Sequence, residues 1–138
     1  MHQHRTILSC NTAGPGFSDL TQQVAAWLRD SAVSDGAVTL FIQHTSASLT
    51  IQENADPDVL RDLAISLDLF APQTRTYLHA TEGPDDMPAH IKSMLTSASI
   101  TVPVAAGRMM LGTWQALYLI EHRAAPHVRD VIVHYFGD

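Results

Sequence analysis

With 138 residues and 15.1 kDa, the chain has the size of one domain and can bury about two-thirds of its unfolded surface. A composition 46% hydrophobic and 16% charged excludes a disordered polyelectrolyte. A net charge of −6, from 14 acidic against 8 basic residues with no run of Lys or Arg, excludes a surface that tracks a nucleic-acid backbone.

The opening MHQHRTILSC lacks the apolar core of a signal peptide, and no stretch approaches the roughly 18 uninterrupted apolar residues of a membrane span. Cys10 is the single cysteine, so neither an internal disulfide nor a paired-cysteine zinc site is available. A cytoplasmic protein with no membrane or nucleic-acid partner is expected.

Arg5 to Cys10 reads as a short strand that the Gly14-Pro15-Gly16 turn cannot continue, with His2 and His4 on a fraying terminus. Ser18 is expected to cap a helix carrying Leu20, Val24, Trp27 and Leu28 on one stripe, ended by Ser34-Asp35-Gly36. Val38 to Gln43 is a β-branched and aromatic run suited to a buried strand that delivers His44, and Ser48 to Gln52 is expected to pair beside it. Asp56-Pro57 is an N-cap followed by a proline at the first helical position, opening a second helix marked by Leu60, Leu63 and Leu67.

Ala71-Pro72 stops that helix, and Thr76 to His79 reads as a short strand before the polar loop at Glu82-Gly83-Pro84. Asp85 or Asp86 caps a third helix with Met87, Ile91, Met94 and Leu95 at helical spacing. The rest reads as β: Ser99 to Val104, a turn near Gly107, Met109 to Leu111, Gln115 to Glu121 and Val128 to Tyr135. Strands and helices do not alternate regularly, so the pattern predicts a single α+β domain. Trp114 is expected in the core and His127 in a turn beside Pro126.

Three of the eight histidines stand where chemistry could use them. His44 ends a strand, His79 lies near Glu82, and His90 falls on the first turns of the third helix. Neutral imidazole is the commonest protein metal ligand, and three would leave a fourth position on zinc for water or substrate. Taken singly, a histidine at a strand end is more often a hydrogen-bonded structural residue, and eleven residues from His79 to His90 match no helix-borne pair and no zinc finger. Among the carboxylates Asp56 is explained as a cap, whereas Glu53 is free to serve as a general base or to support a ligand. Asp85 and Asp86 could cap, ligate a hard cation or simply be solvated. Thr45, Ser46, Ser48 and Thr50 could bind phosphate through hydroxyls and backbone N–H groups, though alternating hydroxyls are also ordinary strand chemistry.

The ordered blocks His44-Thr45-Ser46-Ala47-Ser48-Leu49-Thr50-Ile51-Gln52-Glu53-Asn54-Ala55-Asp56, His79 through Glu82-Gly83-Pro84-Asp85-Asp86-Met87-Pro88-Ala89-His90-Ile91-Lys92, and Leu111-Gly112-Thr113-Trp114-Gln115, closing with Glu121 and Arg123, resemble the YjbQ-like family (UPF0047), also called the secondary thiamine-phosphate synthase family. The resemblance runs over essentially the whole chain. It departs where the family often has Asn at Gln52 and Gly at Ala116.

The resemblance implies an α+β fold containing a β-sandwich with about three helices, assembled as a homotrimer with its site near subunit boundaries. It implies a divalent metal ion, zinc or magnesium, on His44, His79, His90 and Asp86, with Glu53, Asn54, Glu82 and Gln115 as catalytic residues. The implied activity joins a pyrimidine diphosphate to a thiazole phosphate, as a secondary reaction of a metal-dependent enzyme acting on a small phosphorylated metabolite. Ser46, Ser48, Lys92 and Arg123 are then the expected phosphate contacts. Two other expectations stand beside it: a non-catalytic trimer that binds a metal or metabolite, and a metal-assisted phosphate-ester hydrolase in which Glu53 activates water.

Overall fold

A computed structural model describes every residue from Met1 to Asp138. Eleven elements follow in chain order: β1 (His2–Thr12), β2 (Gly16–Asp19), α1 (Thr21–Asp30), β3 (Gly36–Ile42), β4 (Ala47–Glu53), α2 (Pro57–Phe70), α3 (Asp86–Leu95), β5 (Ser99–Ala105), β6 (Arg108–Met109), β7 (Gln115–Glu121) and β8 (His127–Gly137). The strands form two antiparallel sheets, one ordered β1-β8-β3-β5-β6 and the other β2-β7-β4. No helix is long and apolar enough to cross a membrane.

The sheets face each other because alternate residues on each strand are apolar, so one face of every strand must be taken out of water. From the large sheet come Val38, Leu40, Ile42, Val102, Val104, Val131, Val133 and Tyr135; from the small sheet Ala47, Leu49, Leu117 and Leu119. Leu20, Val24 and Leu28 extend this core from α1, with Trp27 packed at its edge. The expected helical stripe is therefore real. Full burial of a Leu or Val side chain is worth about 1.5–3 kcal/mol, which makes this shared layer the main source of stability.

β7 is buried from Ala116 through Glu121 without a break. Its inward residues meet the core, and Ile120 on its other face lines a small cavity with Ala64 and Leu67 of α2. A strand covered on both faces loses the usual alternation.

Several expectations are corrected. β1 extends from His2 to Thr12 because each residue pairs with β8, so the N-terminal histidines lie within a ladder. Gly16–Asp19 is a strand on β7, not a helix start; the N-cap position falls on Leu20, which has no side-chain cap, and Asp19 Oδ1 accepts the N–H of Thr21, the first helical residue, at 2.8 Å. β4 pairs with β7 in the second sheet instead of lying beside β3. Thr76 to His79 forms no strand; it is an irregular loop in which the Tyr77 hydroxyl donates to Pro72 O at 2.8 Å.

α3 turns Asp86, Pro88, Ala89 and Lys92 inward and leaves Met94 and Leu95 exposed. Trp114 is exposed and His127 is the first residue of β8. The second helix begins as expected, with Asp56 Oδ1 accepting the Asp58 N–H at 2.9 Å ahead of Pro57.

Candidate functional site

β4 and β7 pair from Ala47 opposite Glu121 to Glu53 opposite Gln115. Six steps along β4 separate the two ends of this ladder, about 20 Å at the rise of a strand. The predicted site residues divide between them.

At the Glu121 end the chain has just turned out of β7, and Arg123 reaches back over the start of α3. Its Nε donates to Asp85 Oδ2 at 2.9 Å, its Nη1 to Asp86 Oδ1 at 2.8 Å and its Nη2 to the Glu82 carbonyl at 3.0 Å. Asp85 therefore stands at the N-cap position without capping; its carboxylate is spent on Arg123 and on the Ala124 N–H at 2.9 Å. The Ala124 N–H, followed by Arg123, holds the Asp85 carboxyl below its ordinary range.

Asp86, one residue on, is only 3% exposed at its side chain. A buried carboxylate requires partners, and Asp86 has them on both oxygens. With Oδ1 on Arg123, Oδ2 faces His79 Nε2 at 2.6 Å and His90 Nε2 at 3.3 Å. Burial pushes this carboxyl up, but the bond from His79 and the Arg123 charge outweigh it, so it lies below its ordinary range. His90 reaches the same oxygen because it sits one helical turn, four residues, after Asp86 on α3. His79 comes from the preceding loop, its ring 5.6 Å from that of His90, with Glu82 Oε2 at 3.8 Å from its Nε2.

One donor atom from each of His79, Asp86 and His90 lies within 4.8 Å of the others. Donors bound at about 2.0–2.1 Å in a tetrahedral site stand about 3.3 Å apart, which the Asp86–His90 spacing meets while the shorter His79–Asp86 bond would have to open. The histidines are 44% and 33% exposed at their side chains, so the cluster is reachable from solvent. Two imidazoles and a carboxylate steered by a guanidinium fit a divalent ion of the zinc class. Beside them lies a cleft of about 350 Å³ whose wall includes Arg75, Tyr77, His79 and Met87.

His44 stands apart from this group. Its Nε2 accepts the Asp130 N–H at 2.9 Å, and Arg129 Nη1 approaches Nδ1 at 3.4 Å. Burial and then the Arg129 charge push its imidazole below its ordinary value. Ser46 belongs to the same neighbourhood, its Oγ accepting from Arg129 Nη2 at 3.0 Å. Ser48 is fully buried, 2.8 Å from His122 Nε2 and 2.5 Å from the Thr96 hydroxyl. Lys92 is buried along α3 and gives its Nζ to Asp68 Oδ1 at 2.5 Å.

At the far end of the ladder, Glu53 Oε2 accepts the Asp56 N–H at 3.2 Å, the Asn54 N–H binds the Trp114 carbonyl at 2.9 Å, and Gln115 Oε1 accepts the Gly112 N–H at 2.8 Å. These residues shape the entry to α2 and the turn before β7. Within the chain they do not meet the histidines.

Sequence reasoning missed the network under the Glu121 end. Glu121, 1% exposed at its side chain, accepts from Thr12 Oγ1 at 2.6 Å, Arg129 Nε at 2.8 Å, Arg129 Nη2 at 2.5 Å and the N–H groups of His122 and Arg123 at 3.0 and 3.1 Å. Burial raises the Glu121 carboxyl, yet these donors, Arg129 foremost, bring it below its ordinary range. The signal was present in β8, where Arg129 shares the inward face with Val131, Val133 and Tyr135. A cation on an apolar face needs an anion opposite it.

A family model described as UPF0047 protein YjbQ-like matches residues 6–138. The chain is similar to the UPF0047 protein sll1880 of Synechocystis, 51% identical over 99% of this chain and 93% of that protein. It is also similar to the UPF0047 protein YjbQ of Escherichia coli O157:H7, 38% identical over 98% and 99% of the two chains. Among solved structures, a YjbQ/UPF0047 family protein of Clostridium acetobutylicum superposes with a TM-score of 0.88 at 39% identity, covering 95% of this chain and 99% of its own. A YbjQ-like protein of Sulfolobus solfataricus reaches 0.87 at 21% identity over 99% and 100%, a likeness of fold alone.

Proposed function

This chain belongs to the YjbQ-like UPF0047 family, and from that premise we propose that it is a metal-dependent enzyme acting on a small phosphorylated metabolite at the His79–Asp86–His90 cluster. The observation that carries this reading is the division of labour on Asp86, with one oxygen held by Arg123 and the other turned toward two solvent-reachable imidazoles. That arrangement is a ligand oriented from behind. Its nitrogen-rich donor set favours zinc over magnesium, which prefers an all-oxygen shell. A divalent ion held by these three side chains would supply charge neutralisation for a phosphate or departing pyrophosphate.

The chain's own residues then divide the remaining work. The 350 Å³ cleft lies in the size range of small-molecule sites. Arg75 on its wall has its guanidinium 5.3 Å from the Tyr77 ring centre and no carboxylate partner, leaving its donors for phosphate oxygens. Glu82, close to His79, is the nearest carboxylate able to move a proton at the cluster. Arg123, already committed to Asp85 and Asp86, positions the ligand carboxylate in place of contacting phosphate.

The finer reading, a secondary joining of a pyrimidine diphosphate to a thiazole phosphate, draws its support from the family resemblance. The homotrimer draws its support from the family resemblance, and Ile65, Leu69 and Phe70, which α2 leaves in solvent, offer an apolar surface for self-association. In such an assembly Glu53, Asn54 and Gln115 could be offered to a neighbouring protomer's cluster.

A second reading, a metal-binding trimer without turnover, is favoured by the separation of Glu53 from the cluster. The two separate by elemental analysis of the purified protein and by assays with phosphorylated substrates, including the thiazole and pyrimidine pair, before and after exhaustive chelation. Turnover that chelation abolishes and zinc restores supports the enzyme. Stoichiometric metal without conversion of any phosphorylated substrate supports the binding trimer, and activity indifferent to chelation overturns the metal-dependent reading.

A further inference from the structure

On another part of the molecule, α1 and the β5–β6 hairpin enclose a cleft of about 630 Å³ that none of the groups above uses. Thr21, Ala25 and Arg29 occupy successive turns of α1 at four-residue steps and therefore present one face of the helix. The opposite wall is the hairpin, with Gly107, Arg108 and Met109.

This wall is held in place. The Gly107 N–H donates to Ser34 O at 2.9 Å and the Ala106 N–H to Asp35 Oδ1 at 2.8 Å. Gly107 adopts φ +73°, and a side chain there would come within 2.9 Å of the Val33 carbonyl. Both the backbone conformation and the close approach demand glycine. The cleft is thus built into the fold, not left by mobile side chains.

Its chemistry is specific. Arg61, Arg123 and Arg129 each pair with carboxylates. Arg29 and Arg108 make no ion pair and no side-chain hydrogen bond, and both line this one cleft. Thr21 adds a hydroxyl whose oxygen accepts the Leu117 N–H at 2.9 Å, leaving its proton to donate. Between the arginines the surface is apolar, with Ala25, Val33, Met109 and Leu111. Two free guanidiniums with their forked donors suit a carboxylate or phosphate, and the apolar floor suits an organic body attached to it. In a chain of net charge −6, an anion needs such a local concentration of positive charge.

We infer that this cleft binds a small organic anion, a carboxylate or phosphate monoester carried on an apolar body, independently of the histidine cluster. The test is a titration followed by amide nuclear magnetic resonance, with phenyl phosphate, phenylacetate and inorganic phosphate as probes. Shifts are expected at Ala25, Val33, Gly107 and Met109 with at least one aromatic probe, and inorganic phosphate should bind about tenfold more weakly because it leaves the apolar floor uncovered. Whichever aromatic probe binds more tightly identifies the anionic group.

The double variant Arg29→Ala, Arg108→Ala removes exposed side chains without internal bonds and should stay folded. It should weaken binding about tenfold or more, while His90→Ala should leave these shifts intact. Overturning results are no shift at these amides at millimolar aromatic probe, unchanged affinity in the folded double variant, or shifts confined to the loop around Arg75 and His79.

Discussion

Two polar clusters sit side by side at one end of the β4–β7 ladder, and Arg123 belongs to both. Its N–H completes the shell of Glu121, and its guanidinium grips Asp85 and Asp86. Around Glu121 the side-chain polar atoms have partners within the chain; no buried side-chain nitrogen or oxygen in the molecule lacks one. Around Asp86 the carboxylate is equally buried, but the two imidazoles it faces are part-exposed and free to take a further partner. A saturated network specifies a fold, whereas a donor cluster open on one side has room for a further partner. Two equally buried carboxylates, each held by an arginine, thus differ in what faces their remaining oxygen lone pairs: saturated donors at Glu121, part-exposed imidazoles at Asp86.

This contrast is most severely tested from the buried side. Arg129→Ala leaves the buried Glu121 carboxylate with the Thr12 hydroxyl and the His122 and Arg123 N–H groups but without its counter-charge, and should cost about 3–5 kcal/mol, read as a lower urea midpoint at unchanged slope. A loss under 1 kcal/mol would mean that water reaches Glu121.

Acid should act on the same region through His122, which burial, and then the Lys92 charge, pushes from 6.5 down to about 4. Between those values the unfolded chain binds the proton that the folded chain refuses, so stability rises with pH there. The contribution is present above pH 6.5 and lost as pH falls toward 4, amounting to about 3 kcal/mol. His122→Asn should flatten that segment of the stability profile, and an unaltered profile in a folded variant would contradict the assignment.

Smaller again is the effect of Asp56→Ala, which deletes the cap on α2 and should cost about 1 kcal/mol by thermal denaturation. Least disturbing to the fold should be Arg75→Ala, whose side chain is exposed. It should change stability by less than about 0.5 kcal/mol while raising KM for a phosphorylated substrate about tenfold. A KM that stays fixed would remove Arg75 from the proposed site.

What the sequence made legible follows from how local each feature is. The Asp56-Pro57 start, the Leu20–Val24–Leu28 stripe and the limits of β7 depend on neighbours within a few residues, and they stand in the structure as read. Gly16–Asp19 becomes a strand only because β7 offers an open edge, a contact a hundred residues away that Ser18 does not reveal.

The site was legible in part. His79, His90, Asp86 and Glu82 do come together, and the four-residue step from Asp86 to His90 is visible in the sequence, whereas the spacing between the two histidines carries no signal. The resemblance groups His44 with them, and in the sequence it ends a strand. Which strand lies across from it decides its partners, and β8 brings Arg129 and the Asp130 amide. The buried pairing of Ser48 with His122 is equally a product of tertiary packing.

The central claim, that the open cluster and not its buried neighbour binds metal, is tested most directly by calorimetric titration of zinc into the wild-type chain, His90→Ala and His44→Ala. One tight site is expected in the wild type, retained in His44→Ala and lost in His90→Ala, with all three proteins folded. Loss of zinc in His44→Ala with retention in His90→Ala, or no binding to the wild-type chain, would contradict it.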